Sequence, residues 1–110
     1  MTDITYPAGP EFTSESPINL PANRADAEFG SDLIAELIGQ LGHDYVFLTP
    51  GSSFRGLHDS LVNHTRNHKP TIILVAHEEM AVAMAQGYCK ATGKPAMAIL
   101  HDLVGVQHGL

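Results

Sequence analysis

Thr71-Ile72-Ile73-Leu74-Val75-Ala76 is an unbroken apolar run that ends on His77-Glu78-Glu79 and then enters an alanine- and methionine-rich stretch. The run has strand length and does not alternate, as a strand covered on both faces would not; such strands are typical of parallel sheets. The segment from Glu79 to Ala91 is predicted helical, stopped by Gly93 and Pro95. Ala96-Met97-Ala98-Ile99-Leu100 then reads as a further strand.

Toward the N-terminus, Tyr45-Val46-Phe47-Leu48 is a short run of strand formers closed by the breaker sequence Thr49-Pro50-Gly51-Ser52-Ser53. A helix is predicted from Phe54 to about His64, followed by a polar stretch around Asn67 and Pro70. Earlier still, Leu33, Ile34, Leu37, Ile38 and Leu41 recur at helical spacing, with Ser31 placed to cap the helix and Gly42 to stop it. One face of that helix is expected to be buried.

Strands separated by helical crossovers indicate an open α/β fold, a parallel sheet with flanking helices. Ligands of such sheets gather beyond the carboxyl ends of the strands. That rule singles out three loops: Thr49 to Ser53, Ala76 to Glu78, and His101 to Gly105.

Residues 1–28 hold four of the seven prolines (Pro7, Pro10, Pro17 and Pro21) and no sustained apolar period, and read as a flexible leader. The folded part is expected over residues 29–110. Its last segment, Gly105 to Leu110, looks like the opening turn of another helix, so the domain is expected to be partial: a truncated chain or a piece of one.

Composition narrows the function classes. The chain has 110 residues, 44% hydrophobic and 16% charged, with a formal net charge of -6. A folded core follows, and the scattered six Lys and Arg give no basic stripe for nucleic acid. No stretch has the length needed to cross a bilayer, and no charged start precedes an apolar run. A single cysteine, Cys89, fits a reducing, cytoplasmic setting.

Glu78 is the first candidate for chemistry. A carboxylate at a strand's end, flanked by Val75, Ala76 and an alanine-rich helix, is expected to be poorly solvated and held partly or wholly protonated, able to exchange a proton with a bound heterocycle. The plainer reading is that Glu78 and Glu79 sit in the first turn of a helix, whose positive end favours carboxylates. At the other loops, Ser52 either reaches the cleft rim or, with Ser53, caps the next helix. His101 either relays protons or is bonded to Asp102 or to backbone for packing.

Several other patterns fail. Gly51 to Gly56 has the spacing of a phosphate loop, but Leu57 stands where lysine is required, and the nucleophile-elbow pattern is absent. His64 and His68 have helical spacing but no third ligand, and His77-Glu78 lacks the second histidine of a zinc-protease motif at Ala81.

The run from His77 to Pro95 (His77-Glu78, several small residues, Gly87-Tyr88-Cys89-Lys90, Ala91-Thr92-Gly93-Lys94-Pro95) closely resembles that of acetolactate synthases and related 2-oxo acid decarboxylases. In those enzymes it reads His-Glu, small residues, Gly-Tyr-Ala-Arg, then Ala-Thr-Gly-Lys-Pro. Tyr45-Val46-Phe47 and Thr49-Pro50-Gly51-Ser52 resemble the family's Tyr-Val-Phe and Pro-Gly-Gly or Pro-Gly-Ser. The resemblance spans residues 30 to 110.

It implies the pyrimidine-binding, N-terminal part of a thiamine-diphosphate enzyme that decarboxylates or carboligates 2-oxo acids. By that resemblance Glu78 hydrogen-bonds a ring nitrogen of the cofactor's aminopyrimidine, Pro50 and Gly51 lie against the cofactor, and Ser52, His101 and Asp102 face the substrate. His101 follows its strand directly, as in decarboxylases like benzoylformate decarboxylase, where acetolactate synthases carry Ser-Gly-Pro-Gly. Gly87, Tyr88 and the helix alanines are expected to serve close packing near a subunit contact. The Gly-Asp-Gly motif that holds Mg2+ and the diphosphate in the family is not in this chain. The resemblance therefore implies a second subunit carrying the diphosphate-binding domain, a homo-oligomeric parent and a chain inactive alone. Some relatives also bind FAD. The alternatives are a non-catalytic split subunit or paralogue, and a serine hydrolase using Ser52, His101 and Asp102.

Overall fold

The computed structural model describes residues 26–110, so the leader expected over residues 1–28 lies outside the described residues except for its last three positions. The elements, in chain order, are α1 (Gly30–Gln40), β1 (Tyr45–Leu48), a 3-10 turn over Ser52–Phe54, α2 (Arg55–Asp59) continuing as a wider π-helical turn over Ser60–His64, β2 (Thr71–Leu74), α3 (Glu78–Thr92), β3 (Met97–Ile99) and α4 (Val104–Gly109). Among the described residues, no helix is long and apolar enough to cross a membrane.

The three strands form one sheet in the order β2-β1-β3, with both pairings parallel. Val46 lies opposite Ile72 and Met97, and Leu48 opposite Leu74 and Ile99. This is the open α/β sheet with flanking helices that the apolar runs predict. The order also carries information. The chain leaves β1 toward one neighbour and returns past it to reach the other, so the direction of winding reverses between β1 and β3, and it is beside such a reversal that open α/β sheets bind ligands.

Side chains of β1 alternate between two cores, which explains why its sequence is apolar throughout. Val46 and Leu48 pack with Ala35, Leu61, Val62 and Ile72 beneath α1 and α2. Tyr45 and Phe47 face the other way, toward Val75, Ala81, Ala85 and Tyr88 on the α3 side. The central position thus belongs to β1. Among the described residues the longer run Thr71 to Ala76 is paired on one side only, and its Ile73 and Leu74 are half-buried.

The structure corrects the reading of α1. Its buried residues are Asp32, Ala35 and Ile38, while Leu33, Ile34, Leu37 and Leu41 are all about half exposed or more. Of the predicted apolar stripe only Ile38 is interior, because the buried polar group on the opposite flank sets the rotation of the helix. Asp32 Oδ2 accepts the backbone N–H of Glu28 and of Phe29, each at 3.1 Å, and its Oδ1 accepts the Ser60 hydroxyl at 2.7 Å. The same carboxylate displaces Ser31 from the cap role. Phe29 occupies the cap position and Ser31 lies inside the first turn, 2.9 Å from the Ser60 hydroxyl.

The helix predicted from Phe54 to His64 is broken into three geometries. Ser60 turns its hydroxyl inward to Asp32, and Thr65 N–H donates to Ser60 O at 3.0 Å, which is the wider spacing of a π-helical turn. Because the helix ends at His64, its spacing to His68 is not that of a helix face, and His64 Nε2 is engaged with Glu36 Oε1 at 2.7 Å.

In α3 the packing residues are Ala81, Ala85 and Tyr88. Gly87 is exposed, with open space where a Cβ would stand, so the close packing expected of it is not made among the described residues. Tyr88 donates its hydroxyl to Asp44 Oδ2 at 2.6 Å, and Lys94 Nζ reaches the same oxygen at 2.9 Å, tying the end of α3 to the entry of β1. Both hold the Asp44 carboxyl below its usual range, the tyrosine hydrogen bond most of all.

Leu61→Ala is expected to cost about 2–5 kcal/mol in urea unfolding and Leu37→Ala less than about 1 kcal/mol, reversing the order that the helical stripe alone would assign. Asp32 supplies a pH test. Burial alone would raise its carboxyl, but the hydrogen bonds from Ser60, Phe29 and Glu28 outweigh burial and hold it below 3.8. A depressed carboxyl contributes stability that is complete above the ordinary value and is lost as pH falls through the folded value. Asp32→Asn is therefore expected to flatten the acid limb of stability measured from about pH 5 down to about pH 2.

Candidate active site

Because all three strands run in parallel, their carboxyl ends deliver Thr49 to Ser52, Val75 to Glu78 and Leu100 to Asp102 to the same edge of the sheet. The loops after β1 and β3 meet across the winding reversal. Ser52 begins the 3-10 turn and His101 follows β3, and their side chains touch, with Ser52 Oγ 3.3 Å from His101 Nε2. The cap positions of the 3-10 turn and of α2 fall to Gly51 and Phe54 rather than to Ser52 or Ser53. Asp102 Oδ1 lies 2.5 Å from His101 Nδ1. With Nδ1–H donated to this carboxylate, Nε2 is the acceptor for the Ser52 hydroxyl. Phe54 stands edge-on to the same imidazole, with ring centroids 6.4 Å apart.

Gly51 is what allows this approach. A Cβ there would collide with Cδ2 of the His101 ring and crowd Phe54. Pro50, Gly51 and Ser52 also line an open hollow of about 330 Å³ whose other walls are Arg55 and His58. Arg55 brings a guanidinium fork of the kind that recognises carboxylates. The sequence reading missed it, because an isolated arginine four residues past Gly51 has no signature until the 3-10 turn and α2 bring it round to the hollow.

Glu78 is the first residue of α3, and its side chain is only 12% exposed. Gly105, at the start of α4, closes over it. A Cβ on Gly105 would fall 3.0 Å from both Glu78 Oε1 and His101 Cβ, so the acid and the imidazole residue flank one small gap. Glu79, the neighbouring carboxylate, is exposed. The protonation expected for Glu78 is corrected by its position. Its own backbone N–H at the helix start holds the carboxyl below the usual range, outweighing the opposing effect of burial, and His108 adds to the lowering. Glu78 is therefore an ionised acceptor at neutral pH.

Two further polar atoms at this edge, Thr49 Oγ1 and His77 Nδ1, are buried without a hydrogen-bond partner among the described residues. Buried groups of this kind are normally satisfied, and a bound ligand is one way to satisfy them. His108, on α4, was also missed from sequence. Its Nδ1 comes to 3.6 Å from Glu78 Oε2, and its ring stacks on that of His77 at 4.3 Å between centroids.

Gly51→Ala is expected to drive the His101 ring away from Ser52. The change would appear as a shift of the His101 ring signals in NMR spectra, with signals of residues at the opposite end of the sheet, such as His43, unmoved.

Comparison with known proteins agrees with this layout. Residues 29–110 match the model of the thiamine pyrophosphate enzyme N-terminal TPP-binding domain. The chain is 31% identical over 88 residues to acetolactate synthase 2, chloroplastic, of Brassica napus, covering 80% of this chain and 12% of that protein. It is 37% identical over 65 residues to the acetolactate synthase large subunit of Haemophilus influenzae, covering 59% and 11%. With acetolactate synthase of Bacillus subtilis the figures are 31% over 71 residues, 64% and 12%. The chain thus spans 12% or less of the length of these curated relatives. With an open parallel sheet, an acid at the strands' carboxyl edge and a domain match across residues 29–110, the chain belongs to the thiamine pyrophosphate enzyme family, as an acetolactate synthase-like N-terminal TPP-binding domain.

Proposed function

We propose that this chain forms the aminopyrimidine-binding half of a thiamine-diphosphate site in an enzyme that decarboxylates or carboligates 2-oxo acids, with Glu78 as the group that engages the ring. The observation that carries the reading is the shielded, ionised Glu78 carboxylate at the sheet's carboxyl edge, beside the same gap as His101. An acceptor of this kind suits a protonated ring nitrogen, and the unpaired Thr49 hydroxyl is a further group that a bound heterocycle could satisfy. When bound, the cofactor supplies the carbanion chemistry that no side chain provides.

The chain's own residues then divide the remaining work. Glu78 accepts and holds a proton at its carboxylate. Ser52 and Arg55 line the hollow where a substrate carboxylate would be oriented. His101, its tautomer set by Asp102, passes a proton between its Nε2 and the substrate side of the cleft. The Mg2+ and diphosphate fall to a second subunit carrying the other binding domain, in a homo-oligomeric parent that works in the cytoplasm, and this chain alone is inactive.

The test supplies that diphosphate-binding domain in trans with thiamine diphosphate and Mg2+, and follows carbon dioxide release from 2-oxo acids. Turnover that falls about 10²–10⁴-fold in Glu78→Gln supports the reading. Equal turnover in the variant overturns it, and no turnover from an assembled complex favours a non-catalytic subunit.

The contacts of Ser52, His101 and Asp102 favour one other reading, a serine hydrolase. Against it, Asp102 is 68% exposed, and the turn lacks the elbow glycines that present a nucleophile. Labelling of Ser52 by a serine-directed phosphonate, lost in His101→Ala, would establish that activity.

A further inference from the structure

The structure assigns to His77, Glu78 and His108 a site for a divalent transition cation of the zinc type. Each of the three residues offers a ligand atom, and all three atoms lie within 4.8 Å of one another. Two imidazoles and one carboxylate form the ligand set preferred by Zn2+ and Co2+; the hard ions Mg2+ and Ca2+ prefer oxygen alone. Three protein ligands also leave a coordination position open.

The arrangement is held by the fold. His77 and Glu78 are adjacent at the start of α3, while His108 arrives from α4. That short helix is seated by its glycines. Gly105 lies against Glu78, and Gly109 packs so closely on Leu100 and Val82 that a Cβ would collide there. The His77 and His108 rings are stacked, with centroids 4.3 Å apart and 29° between their planes, which holds the two imidazoles together beside Glu78. Among the described residues His77 Nδ1 is a buried atom with no hydrogen-bond partner, its nearest carboxylate being the exposed Glu79 at 3.9 Å, so it is open to a ligand. Ligand atoms on a tetrahedral zinc stand roughly 3.3 Å apart. Closing the set therefore needs side-chain movements of up to about 1.5 Å, which the partly exposed rings allow.

Glu78 serves in both the cation site and the proposed cofactor site, so the two ligands exclude one another. This consequence, unlike the cation site itself, rests on the cofactor reading above. A zinc-type ion bound here would close the cleft to the aminopyrimidine and act as a brake.

The experiment titrates the chain with Co2+, read by its visible ligand-field absorption, and with Zn2+, read by calorimetry. One equivalent should bind, with affinity reduced at least about tenfold in each of His77→Ala, Glu78→Gln and His108→Ala. His43→Ala, altered at the opposite end of the sheet, should bind as the parent does. Urea unfolding confirms that each variant is folded, with His108→Gln replacing His108→Ala if that one is not. Absence of binding, or binding that survives in all three variants, overturns the site. Repeating the Zn2+ titration with the diphosphate-binding domain supplied in trans and with thiamine diphosphate already saturated with Mg2+ separates the two ideas. Competition supports mutual exclusion, whereas a zinc site indifferent to the cofactor upholds the cation site and counts against Glu78 as the ring's partner.

Discussion

The pairing of β1 with a parallel strand on each side is the constraint on which the rest depends. A strand hydrogen-bonded along both edges and packed on both faces has no solvent side, so Val46, Phe47 and Leu48 are all interior. Parallel neighbours then force a crossover after every strand, and the crossovers send Pro50, Glu78 and His101 to the same end of the sheet. No interaction between those three residues is needed to gather them. Burial of three short apolar runs that point in the same direction is enough to bring these loops together, whatever polar contacts they also make.

What polar contacts add is exactness of rotation and approach. Asp32 turns α1 by accepting three hydrogen bonds, which brings Ala35 and Ile38 inward and leaves four large aliphatic side chains about half exposed or more. Such a choice follows from magnitude. A buried carboxylate stripped of its donors costs more than partial exposure of several aliphatic groups. Ser60, shared between Asp32 and the widened turn after α2, belongs to the same economy of satisfied polar groups.

These physical differences explain what was legible in the sequence. The strands, the direction of the sheet and the placing of Glu78, Ser52 and His101 in facing loops could be read from apolar runs and breakers, since those patterns act locally. The rotation of α1 could not, because it is decided by the burial of Asp32, whose partner Ser60 is remote in sequence and meets it only in the folded chain. The same holds for Arg55 and His108, which reach the site through a 3-10 turn and a short helix rather than through any motif. For Glu78 the sequence located the group and missed its charge: burial was anticipated, but the donor at its own backbone nitrogen was not weighed.

Gly105 has a final implication. It sits between the acid and the imidazole residue with no atom to spare, so their separation is set by the thickness of a bare backbone. A spacer without a side chain cannot swell or swing. Changes elsewhere in the surrounding loops can alter the shape of the cleft, yet the spacing between Glu78 and His101 stays fixed by this backbone.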